Sequence, residues 1–119
     1  MQNRVLRVLL LWQGLYYGVT GIWALVALDS FAQVTGDHGD AFDMHSIAAL
    51  AVVLGIAFIR GAMGGKHLVF AGWLLLGSAI AVIVPELIHF SEIKGTLFLV
   101  DLLEEVSVAV IATFALRNV

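Results

Sequence analysis

Four apolar stretches, at about 5–28, 45–60, 67–84 and 96–116, alternate along this chain with short polar segments. A helix rises 1.5 Å per residue, so roughly 20 apolar residues cross a hydrocarbon core of about 30 Å. The pattern therefore predicts an all-α protein, a four-transmembrane-helix antiparallel bundle formed by a single integral membrane domain over 1–119. The first stretch follows Arg4 and Arg7. It is too long for a signal-peptide core of roughly 7–15 residues and no A-x-A site follows it, so it reads as a span. The segment 29–43 carries Asp29, Asp37, His38, Asp40 and Asp43 and reads as a polar loop. A basic turn at 61–66 separates the second and third stretches. Pro85 interrupts the third, and Glu86, His89, Glu92, Lys94 and Gly95 lie between it and the fourth.

Sorting the charges by these segments sets Arg4, Arg7, Arg60, Lys66 and Arg117 at one end and all nine acidic residues at, or entering from, the other. Lys94 alone breaks the separation. By the bias of basic residues toward the cytoplasm, both termini and the 61–66 turn are expected on the cytoplasmic side, and the 29–43 and 85–95 loops outside. Composition agrees with this class: 61% of residues are hydrophobic and 13% charged, against about 45–50% apolar in a soluble domain. Cysteine is absent, which excludes disulfides, thiolate metal sites and thiol catalysis. The net charge is −3 with no basic stripe, so nucleic acid is not an expected partner; the lipid bilayer is. Small residues recur as Gly14-x-x-x-Gly18 with Gly21, as Ala51-x-x-x-Gly55, and as Gly72 with Gly77. Such spacing lets membrane helices approach closely, and it is read here as packing within one chain in preference to a homo-oligomer seam.

The fourth stretch changes the picture, because FLVDLLEEVSVAV carries Asp101, Glu104 and Glu105. Positions i, i+3 and i+4 share one face of a helix. Counted from Thr96, Asp101 lies about 8 Å deep and Glu105 about 13 Å. Charged groups at such depth are costly, turn toward the bundle interior and mark functional sites. On the first helix Gln13, Tyr16, Tyr17 and Thr20 share a face, with Trp23 at its edge. His45 opens the second helix, and Glu86 and His89 close the third. All four helices thus place polar groups in the outer half, which predicts a polar chamber opening outward.

Several readings compete for that chamber. The carboxylates can be satisfied by Tyr, Gln, Thr, Trp and His donors and merely fix register, since buried polar groups require partners. A ligand-binding site built from Gln13, Tyr16, Tyr17, Thr20, Trp23, His45, Asp101, Glu104 and Glu105 suits an amphipathic or quinone-like small molecule, the deep carboxylates favouring a cationic or hydroxylated lipid-like one, since apolar walls with a few convergent polar groups are what such sites look like. A divalent metal site is the third reading: Glu86-x-x-His89 has the i, i+3 spacing of carboxylate-bridged di-iron bundles, and the helix-four carboxylates would complete the shell. No second Glu-x-x-His accompanies it. A proton relay lacks ionisable groups in the inner half, and a haem between His45 and His89 requires equal depth. No nucleophile elbow, phosphate loop or dinucleotide fingerprint is present. No catalytic residue is assigned.

Taken in order, GLYYGVTGIWALVALDSFAQVTG, FDMHSIAALAVVLGIAFI and LFLVDLLEEVSVAV resemble small bacterial four-helix membrane proteins of the DoxX-like kind. The more specific points are the aromatic and glycine-rich first helix with Phe31 and Gly36 after it, and the acidic fourth helix at Asp101 and Glu104. The resemblance implies a compact four-helix bundle in a bacterial inner membrane and little about activity; DoxX itself is associated with quinone-linked sulfur oxidation in a larger complex. Where relatives tend to have a basic residue entering helix two, this chain has His45. The sequence thus points to an accessory or ligand-binding membrane protein, with a metal or redox protein and a purely structural subunit as alternatives.

Overall fold

The computed structural model describes residues 2–35, 39–91 and 96–117. Gly36, Asp37, His38, Glu92, Lys94 and Gly95, which the sequence assigns to connections, lie outside the described residues. Five α-helices account for most of the rest: α1 (Gln2–Val26), α2 (Leu28–Thr35), α3 (Ala41–Met63), α4 (Leu68–Ile88) and α5 (Thr96–Arg117), with one 3-10 turn at Gly65–His67. Three segments, Asn3–Val26, Ala41–Met63 and Gly65–Ile88, are long and apolar enough to cross a membrane. At 22 residues α5 matches them in length; its three carboxylates are what set it apart.

Helix boundaries differ from the sequence pattern where local chemistry intervenes. The polar loop expected from residue 29 is in part a helix, α2, which follows a break at Ala27. Leu28, Phe31, Ala32 and Thr35 fall on its half-buried side while Asp29, Ser30, Gln33 and Val34 are exposed. This i, i+3, i+4, i+7 stripe is hidden in a stretch whose aspartates and glycines read as loop. At the start of α3, Asp40 caps the helix by accepting from the Phe42 backbone N–H at 3.2 Å. That cap begins the helix four residues earlier than the expected position 45. Nor does Pro85 end the next helix, which runs on to Ile88. Proline removes one backbone donor but already holds a helical φ, and His89 N–H bonds back to the Pro85 carbonyl at 3.0 Å. This continuation carries Glu86 on a helical face instead of leaving it in a loop.

The long helices form a flattened, rhomb-like bundle with Cα extents of 40 × 28 × 17 Å. Most of its contact lies between α1 and α3, then between α4 and α5; α1 and α4 also touch, while α3 and α5 share no substantial contact and so occupy opposite corners. Glycine explains the first pairing. A Cβ at Gly55 would lie 2.7 Å from the Gly14 carbonyl oxygen and 2.9 Å from the Gly18 amide nitrogen. A Cβ at Gly21 would lie 2.7 Å from the Ala48 carbonyl oxygen. The small residues therefore bring α1 and α3 together within one chain, as their spacing predicts.

An apolar core fills the end that holds both termini: Leu6 and Leu10 of α1, Phe58 of α3, Leu68 and Leu75 of α4, and Ala112 and Leu116 of α5. Arg7 closes that end, its Nη1 donating to the Ala62 carbonyl at 3.3 Å. Around this core a wide belt of large apolar side chains is exposed, among them Val19, Ile47, Phe70, Leu103 and Phe114. Such a belt suits contact with lipid rather than water.

Candidate functional site: a polar layer between α1 and α5

Above the apolar core, α1 presents donors and α5 presents acceptors. Trp12 Nε1–H donates to Glu104 Oε2 at 2.9 Å. Gln13 Nε2–H donates to Glu105 Oε2 at 3.0 Å, and the Tyr17 hydroxyl donates to the same oxygen at 3.2 Å. The Tyr16 hydroxyl donates to Asp101 Oδ1. The order follows from antiparallel helices: moving outward along α1 from 12 to 16 matches moving back along α5 from 104 to 101. The i, i+3, i+4 spacing of the carboxylates aims all three at one neighbour, and the paired i, i+4 positions 12 with 16 and 13 with 17 supply the answering donors.

Burial grades across this layer. Gln13 is 0% exposed, Glu105 1% and Tyr17 6%, and the Tyr17 ring rests on Phe58 with centroids 5.7 Å apart. Asp101, Glu104 and Tyr16 are half-buried, while Trp12 is 54% exposed on the outer wall. The inner trio is enclosed in protein and the outer trio is accessible from the bundle flank.

Acceptors outnumber donors here. Gln13 Oε1, Glu104 Oε1 and both carboxyl oxygens of Glu86 are enclosed without a hydrogen-bond partner. Glu86 comes in from α4 beside Asp101. Two carboxylates are both acceptors, so these can bond to each other only through a shared proton or an intervening cation. Nearest-approach ligand atoms of Asp101, Glu104 and Glu105 all lie within 4.8 Å of one another. The donors that meet these carboxylates are neutral: an indole, a carboxamide and two phenols.

Of the eleven residues that the sequence singles out, Gln13, Tyr16, Tyr17, Asp101, Glu104, Glu105 and Glu86 meet in this layer. Four stand outside it. Thr20 turns its hydroxyl to the Tyr16 carbonyl of its own helix at 2.7 Å. Trp23, near the end of α1, turns to α2, donating to Ser30 Oγ at 3.2 Å and packing edge-on against Phe31 at 5.2 Å. His45 is exposed on α3, at the corner of the rhomb opposite α5. His89 is exposed at the C-terminal cap of α4, so the Glu86-x-x-His89 spacing does not place its imidazole among the carboxylates. Trp12 is the participant that the sequence reading passes over. Its position four residues before Tyr16 is the signal that could have found it.

A groove of about 730 Å³ runs from this layer toward the termini, between α1 and α5. Its walls are apolar, including Val5, Val8, Leu9, Val108 and Ile111; Arg4 stands at one end and the Trp12–Glu104 pair at the other. The sequence places a chamber on the outer side of the carboxylates, whereas this groove approaches them from the Arg4 end. Comparison with protein-family models, curated proteins and solved structures finds no match for this chain.

Proposed function

We propose that this chain is a small multi-pass membrane protein, spanning four times with α1, α3, α4 and α5, that binds a lipid-like amphiphile with an anionic head in the α1–α5 groove. The groove itself carries the reading. Arg4 and the Trp12–Glu104 pair are eight residues apart on α1, which is about 12 Å of helix. That spacing separates a headgroup-level cation from a deep polar pair by a stretch of apolar wall. An anionic head would sit at Arg4, whose guanidinium suits carboxylate or phosphate, and the apolar body would lie along Val5, Val8 and Ile111. Collection of Arg4, Arg7, Arg60, Lys66 and Arg117 toward one end supports an orientation with both termini in the cytoplasm, so the mouth would face the inner leaflet. A quinone-like ring reaching Trp12 Nε1–H is the same site used by a different head. The DoxX-like resemblance supports the bundle architecture of this proposal and lends it no chemistry.

The test uses the full chain with Trp23→Phe and Trp73→Phe, so that Trp12 is the remaining indole, reconstituted with brominated phospholipids. Brominated anionic lipid is expected to quench Trp12 more strongly than brominated zwitterionic lipid at equal mole fraction, and Arg4→Gln to abolish the difference. Equal quenching by the two lipids in the Arg4 protein would remove the proposal.

A further inference from the structure

The surplus of enclosed oxygens in the polar layer is independent of the groove. The three α5 carboxylates take their α1 donors on one oxygen each: Glu104 Oε2, Glu105 Oε2, which accepts two, and Asp101 Oδ1. Those bonds orient the groups, and one ligand oxygen of each lies within 4.8 Å of those of the other two. A side chain that is not acidic joins them. Gln13 is fully buried; its amide nitrogen is committed to Glu105, and its carbonyl Oε1 has no partner. Exchanging the amide atoms would set oxygen against the acceptor-only Glu105, so the network fixes the orientation. A buried carbonyl without a donor is costly and calls for one from outside the chain. The unpartnered Glu104 Oε1 and the two Glu86 oxygens add to the same demand.

We propose that Asp101, Glu104 and Glu105, joined by Glu86 and the Gln13 carbonyl oxygen, form an intramembrane site for a hard divalent cation of the calcium type. The donor set is oxygen throughout, which suits Ca²⁺, Mg²⁺ or Mn²⁺ and disfavours zinc or copper, whose sites draw on nitrogen and sulfur. Size selects within that group. Ligand atoms spread over up to 4.8 Å match two Ca–O distances of about 2.3–2.6 Å better than two Mg–O distances of about 2.0–2.1 Å. Calcium also accepts irregular coordination by six to eight oxygens, including amide carbonyls. Access is from the flank, where Asp101 and Glu104 are half-exposed. The cation would tie α1, α4 and α5 together and offset carboxylates that meet no cationic side chain among the described residues.

The experiment uses the purified full chain in a neutral detergent, with Tb³⁺ as a luminescent calcium probe and Ca²⁺ alone in calorimetry. Trp12, hydrogen-bonded to Glu104, is placed to sensitise the lanthanide. One Tb³⁺ per chain is expected, displaced by Ca²⁺. Asp101→Asn and Glu105→Gln should each weaken binding by about tenfold or more, since ligand charge sets calcium affinity. Gln13→Leu should weaken it while leaving the carboxylate count unchanged. Asp29→Asn with Asp43→Asn, exposed acids that take no part in the layer, should leave binding intact, as should Arg4→Gln, which disables the groove alone. Circular dichroism and elution volume check folding of each variant. Absence of Ca²⁺-displaceable Tb³⁺ luminescence in the unmutated chain overturns the proposal; so does binding that survives in Asp101→Asn and Glu105→Gln.

Discussion

Helix α1 has two faces that meet its neighbours by opposite means. Toward α3 it presents Gly14, Gly18 and Gly21, and the two backbones come so close that a single added methyl at Gly55 overlaps a carbonyl oxygen. Toward α5 it presents Trp12, Gln13, Tyr16 and Tyr17, and contact is thin, held by four side-chain hydrogen bonds and interrupted by a groove of about 730 Å³. In lipid there is no hydrophobic drive to bring helices together, so packing and hydrogen bonds must do it. Close packing is rigid and sequence-intolerant. A hydrogen-bonded interface with spare acceptors holds register while leaving room for something else. One helix thus joins a fixed scaffold to an adjustable seam, and the proposed groove and cation sites both lie on the seam.

Breaking the scaffold face should have the largest effect. In Gly55→Leu the new side chain has backbone, not flexible side chain, in its way, and a loss of about 3 kcal/mol or more is expected, enough to leave little folded protein. Gly77→Ala is the matched control, because a Cβ there meets nothing within 4 Å. It should be neutral or stabilising by up to about 1 kcal/mol, the helix preference of alanine over glycine. Denaturation in mixed micelles of a mild detergent and sodium dodecyl sulfate compares the two. Equal stability would mean that the α1–α3 contact is not what holds the bundle.

Breaking the seam should cost less and should be non-additive. Gln13→Leu removes a donor from the fully buried Glu105 and is expected to cost about 1–3 kcal/mol. Glu105→Leu removes the acceptor. If the pair acts as a unit, the double variant costs less than the sum of the singles, with a coupling of about 1–2 kcal/mol in line with hydrogen bonds between membrane helices. A double-mutant cycle by the same denaturation measures it. Strict additivity would show that Gln13 and Glu105 are neighbours without mutual dependence.

The scaffold was legible in the sequence and the seam only in part. The four long helices, their antiparallel order and the glycine contacts follow from apolar length and small-residue spacing, which report on a single chain folding back on itself. Asp101, Glu104 and Glu105 declared a common face through their spacing, and Gln13, Tyr16 and Tyr17 an answering one. What spacing cannot give is which corner of the bundle each helix occupies. His45 was grouped with the carboxylates because it has a suitable depth, yet α3 stands diagonally across from α5. Glu86 was grouped with His89 because of its i, i+3 spacing, yet the continuation of α4 through Pro85 turns it toward Asp101 while His89 stays exposed. The α2 helix is hidden because Asp29 and the glycines and aspartates that follow the helix outweigh four half-buried positions.

Thr20 gives the smallest effect and the sharpest separation of face from direction. It lies on the same side of α1 as Tyr16 and Tyr17, but its hydroxyl is spent within the helix on the Tyr16 carbonyl at 2.7 Å. A backbone carbonyl already engaged in the helix gains little from a second donor. Thr20→Val keeps the branched shape and deletes only that bond, so stability should change by no more than about 0.5 kcal/mol. Tb³⁺ luminescence and bromolipid quenching of Trp12 should both remain as in the unmutated chain. A loss of cation binding in Thr20→Val with stability unchanged would mean that the hydroxyl turns inward to the carboxylates on binding. The seam would then extend one helical turn further out along α1 than its four hydrogen bonds mark.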